Sequence, residues 1–437
     1  MKSLWPRIRD NRTFCAVATV LGKPYGGSVV AAGIGLVVLV LLIAGFGFGL
    51  DWVRSWKVIG FPGALPPFSD LHIVTDNAAK CADAAISEYP YVRARCNPWH
   101  QIYNYPPVWL TLGKLGINGG HAALLAMLVE LPALALFVFL LRGRSIRCGL
   151  IALALMLSPS VVLGFERGNI DILEWVLVCA AALVYSDNDR RRAAASLAIL
   201  CLAVTLKFLA VFCCALGSRL RSASVIVSCL LVAFSLLYLY TLSDVLPMIR
   251  AITPVSPYVS YGYIILFDRL EFLYGPRLGL DLTGLTASWI PQVVVAFMLL
   301  AAGAWALAVW RRGRGQHRLD EGRDGTAFLF GSGIYCGSFL LLGTNYTYRL
   351  MFLLLCLPQL FDWIERADED GASSWCLAYL LLGSCLVSMW LKFHPEKTLH
   401  INQITDWVLF TALVMLIFLT TLYALGKFAA RPGEVAC

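Results

Sequence analysis

The sequence predicts an all-α fold, a polytopic bundle of about ten to twelve membrane-spanning helices forming one domain over residues 1–437. Three observations predict it. Of the 437 residues, 59% are hydrophobic and only 14% are charged, whereas a soluble domain carries about 25% charged residues. The apolar residues fall in runs of about 20, each long enough to cross a bilayer. The formal charge of +8 sits in short Lys/Arg clusters between those runs, the pattern of loops retained on the cytoplasmic side. Membrane orientation thus accounts for the charge, and no nucleic-acid partner is expected.

The elements follow in order. Lys2, Arg7, Arg9, Arg12 and Lys23 precede an apolar run from about Ser28 to Leu50, too long for the core of a cleaved signal, so it reads as a retained first span with its amino end in the cytoplasm. Residues 51–120 are rich in Pro, Asp, Tyr and His without a run long enough to cross, and read as a long first exoplasmic loop. Runs near His121–Leu141, Cys148–Gly164 and Asn169–Ser186 come next, joined on the inner side by Arg142, Arg144 and Arg147. Basic clusters flank Ala193–Gly217 at both ends, and Lys207 interrupts it, so two short helices meeting near Lys207 are expected. Further runs lie near Ser222–Leu242, Ile290–Trp310, Ala327–Gly343, Tyr348–Trp363, Trp375–Leu391 and Ile404–Leu425, with Arg311, Arg312 and Lys427 marking inner ends. Both termini come out cytoplasmic, and the polar segments collect on the outer side, the expected place for chemistry.

Within those segments a few groups can carry a reaction. Asp70 and Asp76, in the first loop, are carboxylates able to take a proton from a nucleophilic hydroxyl if within reach; solvated loop acids and helix caps look the same at this level. Tyr105-Pro106-Pro107-Val108-Trp109 combines an extended entry with aromatics suited to the headgroup level. The turn Phe165-Glu166-Arg167-Gly168-Asn169-Ile170-Asp171 crowds ionisable residues between two spans, where they face one another or a cavity. There Glu166 either pairs with Arg167 or Arg349, or the turn serves a ligand, Arg167 on a phosphate and Asn169 or Asp171 on a sugar or in loop positioning. Lys207, flanked by apolar residues on both sides, asks for an anionic ligand in a cavity. In Asn345-Tyr346-Thr347-Tyr348-Arg349, the guanidinium offers a fork for phosphate oxygens beside aromatic faces. Most of the 14 cysteines lie in apolar runs and act as small hydrophobes. Cys81 and Cys96 share the outer loop, where an oxidising space permits a disulfide. No Cys/His spacing indicates zinc, and neither metal nor cofactor is expected.

At Asp70, Tyr105-Pro106-Pro107, Gly168-Asn169 and Lys207 the chain resembles the GT-C superfamily of integral membrane glycosyltransferases, in particular the branch of mycobacterial α-1,2-mannosyltransferases and a related arabinofuranosyltransferase. The likeness rests on the order and spacing of these short motifs across roughly the first half of the chain. The family turn is often Gly-Gln-x-Asn, where this chain has Glu166-Arg167-Gly168-Asn169. The resemblance implies a GT-C-like fold in a bacterial inner membrane and a site on the periplasmic side. It also implies transfer of a mannose- or arabinose-type sugar from a polyprenyl-phosphate donor to a lipid or glycan acceptor. Asp70 would be the general base, with Lys207 and Arg349 on the departing phosphate, and Asp76, Tyr105, Glu166, Arg167, Asn169, Asn345 and Tyr348 would line the substrate. The competing reading is a multi-span transporter or flippase of a lipid-linked or anionic substrate, which predicts paired broken helices in both halves; only the segment around Lys207 is so interrupted. A lipid-linked polymerase or ligase carries its dominant outer loop late, and a non-catalytic subunit would tolerate loss of Asp70.

Overall fold

The structure is a computed structural model that describes residues 19–58, 63–81, 105–243, 260–279, 284–285, 288–312, 319–366, 372–391 and 395–429. Lys2, Arg7, Arg9, Arg12 and Cys96 lie outside them. Within them the chain is almost entirely helical, and the one sheet is a two-stranded pair, β1 (Ser260–Tyr261) antiparallel to β2 (Asn345–Tyr346). The all-α expectation holds. Among the described residues seven helices are long and apolar enough to cross a membrane, or eight if a bent pair counts as one span, which makes this a multi-pass membrane protein.

Several of the runs expected to cross are, among the described residues, broken or shortened. Gly26–Leu42 (α1), continued by a π-turn, is the first span. Trp52–Val58 (α2) and Ser69–Cys81 (α3) lie in the first loop. Ala122–Leu140 (α4) crosses. Ile146–Met156 (α5) and Pro159–Arg167 (α6) meet at a 58° bend, because Pro159 has no N–H to continue the first helix and starts the second as its first residue. Ile170–Val184 (α7) has 15 residues, short of the ~20 a bilayer needs. Arg190–Leu206 (α8) gives way at Lys207 to a 3₁₀ helix, Phe208–Arg219, the two-piece arrangement expected from the interrupting lysine. Ser222–Thr241 (α9) crosses; Ile265–Leu278 (α10) does not reach span length. The remaining spans are Ile290–Arg311 (α11), Arg323–Gly337 (α12, extended by a π-turn to Leu342), Ala372–Leu391 (α13) and Pro395–Ala429 (α14). The run expected at Tyr348–Trp363 is a 3₁₀ helix, Thr347–Cys356, followed by a short α-helix, Leu357–Glu365.

Lipid tails are as apolar as the helices, so association depends on close packing more than on water release. Gly26 and Gly149 show it: a Cβ on Gly149 would lie 2.5 Å from the carbonyl oxygen of Gly26, so α1 and α5 touch backbone to backbone. In the second half the buried rings of Phe328, Phe339, Phe352 and Trp363 fill the space around α12, which is the most enclosed of the spans. Cys81, buried at the end of α3, is disulfide-bonded.

Two polar ends result. Running α7, the 3₁₀ helix 208–219, α12 and Thr347–Glu365 along their lengths, one end of the bundle holds Asp70, Asn169, Lys207 and Asn345–Arg349. The other holds Arg144 with Asp324 and Glu365, Arg219 with Asp187, and Glu321 with Lys427.

Candidate active site

The first of these ends is built from helix terminations. Gly168 ends α6 in the left-handed conformation, φ +60°, which glycine adopts without a Cβ penalty. A side chain there would also meet Phe68 and Leu71, at 3.0 and 2.9 Å, so α3 rests directly on the turn. Asn169 then caps α7: its Oδ1 accepts from Asp171 N at 2.9 Å, satisfying one of the free first-turn donors. With Oδ1 committed, Nδ2 faces the other way and donates to Asp70 Oδ2 at 2.5 Å. A capping residue on α6–α7 therefore fixes a carboxylate on α3.

Lys207 owes its place to the break between α8 and the 3₁₀ helix, where its backbone is extended (φ −161°, ψ 135°). Such a break frees backbone groups that need partners inside a membrane. Trp109 Nε1 donates to Leu206 O at 2.9 Å, Tyr238 OH donates to Thr205 O at 3.0 Å, and Ala210 N donates to Glu174 Oε1 at 2.7 Å. Lys207 Nζ lies 2.5 Å from Asp171 Oδ1, 3.5 Å from Asn169 Oδ1 and 5.5 Å from the centre of the Tyr105 ring. The Tyr-Pro-Pro-Val-Trp element is thus a wall of the site.

Arg349 completes the set. Its Nε is 3.3 Å from Asp171 Oδ2, and its Nη1 donates to Asn345 Oδ1 at 2.7 Å. Asn345 Nδ2 in turn donates to Ser338 O at 2.8 Å and β2 pairs with β1, so the π-turn end of α12 is tied to the same place. Tyr346 and Tyr348 stack with ring centres 5.4 Å apart. One polar chain thus runs from Asp70 through Asn169, Lys207 and Asp171 to Arg349 and Asn345.

Asp70 is 9% exposed, and burial pushes its carboxyl above the ordinary value; Arg167, the Asn169 amide and Lys207 oppose that rise. Arg167 Nη1 stands 4.0 Å from Asp70 Oδ1, with 42% of the side chain exposed. Lys207 and Arg349 share Asp171, and their side chains are 13% and 15% exposed. The three cations are therefore not equivalent: two are held by a buried carboxylate and one is open to a ligand. A base, an amide and cations gathered in this way suit removal of a proton beside stabilisation of an oxyanion.

Two expected members stand apart. Asp76 lies six residues beyond Asp70 on α3, about 240° further round a helix, and accepts from Gly119 N at 3.0 Å with His72 at 3.5 Å; it fastens the turn that starts α4. Glu166 pairs with neither Arg167 nor Arg349. Its Oε1 accepts from Trp52 Nε1 at 2.9 Å and Ala64 N at 2.6 Å, which ties the exit of the first span to the turn. Sequence reasoning did not single out Glu174, fully buried beside Asp171; the signal was its spacing of three residues from Asp171 on an otherwise apolar helix.

Among the described residues no three His, Cys, Asp or Glu side chains are placed to hold a metal ion. Comparisons of the chain with protein-family models, with curated proteins and with solved structures returned no match.

Proposed function

We propose that the chain is a membrane glycosyltransferase that moves a mannose- or arabinose-type sugar from a polyprenyl-phosphate donor to a hydroxyl of a lipid or glycan acceptor. The reaction takes place at the membrane face away from the arginine-rich end, the periplasmic face of a bacterial inner membrane by the charge rule. The observation that carries this reading is the Asp70–Asn169–Lys207 link, a buried carboxylate one amide away from a partly buried ammonium.

Asp70 takes the proton of the acceptor hydroxyl as that oxygen attacks the anomeric carbon. The bond from that carbon to the phosphate oxygen breaks, and polyprenyl phosphate leaves with the electron pair. Arg167, the open cation, and Lys207 meet the growing phosphate charge, and fixed donors of this kind often supply the largest share of rate enhancement. Asp171 and Arg349 hold Lys207 and the Asn345 turn in position.

The test uses the purified full chain with polyprenyl-phosphate mannose and polyprenyl-phosphate arabinose, each with a lipid-extract acceptor, and measures released polyprenyl phosphate together with glycosylated product. Release coupled to product supports the transferase. Movement of the intact donor across a vesicle bilayer without cleavage would assign the same residues to a flippase.

A further inference from the structure

Glu174 takes no part in the transfer, yet it is fully buried on α7 within the field of Asp171, Lys207 and Arg349. Its Oε1 accepts from Ala210 N, in the 3₁₀ helix Phe208–Arg219, at 2.7 Å; its Oε2 is enclosed and has no hydrogen-bond partner among the described residues. Asp171, three residues earlier and so on the same face of the helix, is placed differently. Its two oxygens meet Lys207 Nζ and Arg349 Nε, at 2.5 and 3.3 Å. The Cys213 thiol of the 3₁₀ helix also faces Glu174. Other elements packed on α7 hold their charged groups elsewhere. Asp324 of α12 and Arg192 of α8 lie at the arginine-rich end, Glu166 of α6 binds Trp52, and Glu130 of α4 lines a separate small void with Ile172 and Leu173.

We propose that Glu174 carries a proton when the site holds a phosphate, and that this neutral acid sets the charge that Lys207 presents to the ligand. The inference rests on the phosphate lying at Lys207, as in the transfer reading. With Glu174 protonated, two cations face one carboxylate, and the enclosed cluster keeps one positive charge, matched to a phosphodiester with one negative charge. With Glu174 ionised the cluster is neutral, and an incoming phosphate meets a second carboxylate where a low dielectric strengthens the repulsion. Two carboxylates one helical turn apart in such a place oppose each other's ionisation. Oε2 is where the proton sits without breaking an existing bond. Lys207 retains a donor for the ligand, since Asp171 and Asn169 engage two of its three N–H groups. Glu174 is thus a positioning residue that acts on the phosphate through Lys207.

The probe is the methyl diester of polyprenyl phosphate, which is singly charged near neutral pH and has no sugar to transfer. Its binding to the full chain in detergent is measured by titration calorimetry from about pH 6 to 9, a range that reaches the values documented for buried glutamic acids. Two buffers of different ionisation enthalpy report proton uptake alongside affinity. Affinity should fall about tenfold per pH unit along one alkaline limb, with uptake of about one proton there, as a single linked group gives. Glu174→Gln keeps an oxygen for Ala210 N; it should bind at least as tightly as wild type at every pH, melt like it, and lack that limb. Lys207→Arg, whose charge is fixed over the range, should keep the limb. A wild-type affinity flat across the range, a limb that survives in Glu174→Gln, or one that vanishes in Lys207→Arg would each overturn this proposal alone. Failure of the probe to bind at any pH would overturn it together with the phosphate placement of the transfer reading.

Discussion

Replacing Asp70 by Asn separates chemistry from folding in a single variant. The substitution keeps the shape and an oxygen able to accept from Asn169 Nδ2, now at 2.5 Å from the carboxylate, but removes the basic charge. A positioned general base contributes a factor of about 10² to 10⁴, so the barrier should rise by roughly 3–5 kcal/mol. Stability should move the other way. Burial raises the Asp70 carboxyl above 3.8, so the folded chain binds this proton more tightly than the unfolded chain. Between 3.8 and the raised value the folded state therefore loses stability as pH increases, and the ionised form at neutral pH is a cost to folding. Asn lacks that cost. The wild-type rate of polyprenyl phosphate release should fall on acidification, as the base is protonated, with a midpoint above 3.8, and the variant should lose that limb. The assay is donor turnover against pH together with thermal unfolding in detergent. Turnover within about threefold of wild type, or a loss of activity matched by a lower melting temperature, would refute the reasoning.

The other substitutions probe how the site is held. Asp171→Asn leaves Lys207 and Arg349 without their shared carboxylate, and breaking a buried pair costs about 3–5 kcal/mol; melting should fall sharply, which thermal unfolding would show. Asp76→Asn should leave kcat and KM near wild type and cost about 1 kcal/mol through the weakened bond from Gly119 N, since this acid faces away from the polar chain; a large fall in kcat would return Asp76 to the site. Gly168→Ala places a Cβ at φ +60° and within 3.0 Å of Phe68 and Leu71, so both stability, by about 1–3 kcal/mol, and turnover should drop as α3 is pushed off the turn.

Much of this arrangement could be read in advance, and the failures have physical causes. The uniform apolar runs that became α1, α4, α9, α11, α13 and α14 announce themselves, because a span needs nothing but length and hydropathy. Lys207 also announced its break, since an ammonium deep in an apolar run requires an exit from the lipid. Hydropathy cannot distinguish an α-helix from the 3₁₀ segments at Phe208–Arg219 and Thr347–Cys356, nor foresee that Pro159 bends its span. The two loop acids could not be told apart because the loop was read without a helix: only the helical phase of α3 turns Asp70 toward Asn169 and Asp76 toward Gly119. Asp171 was named only as a sugar or loop residue, whereas its two oxygens bind cations from two distant segments, a pairing that exists only after the bundle closes.

The most direct test of the central claim is a structure of the full chain with bound polyprenyl phosphate in a lipid nanodisc. The phosphate should lie within hydrogen-bond reach of Arg167 and Lys207, with Asp70 facing the space beside it where an acceptor hydroxyl would enter. A phosphate seated at the arginine-rich end, or a site end empty with the lipid bound elsewhere, would contradict it.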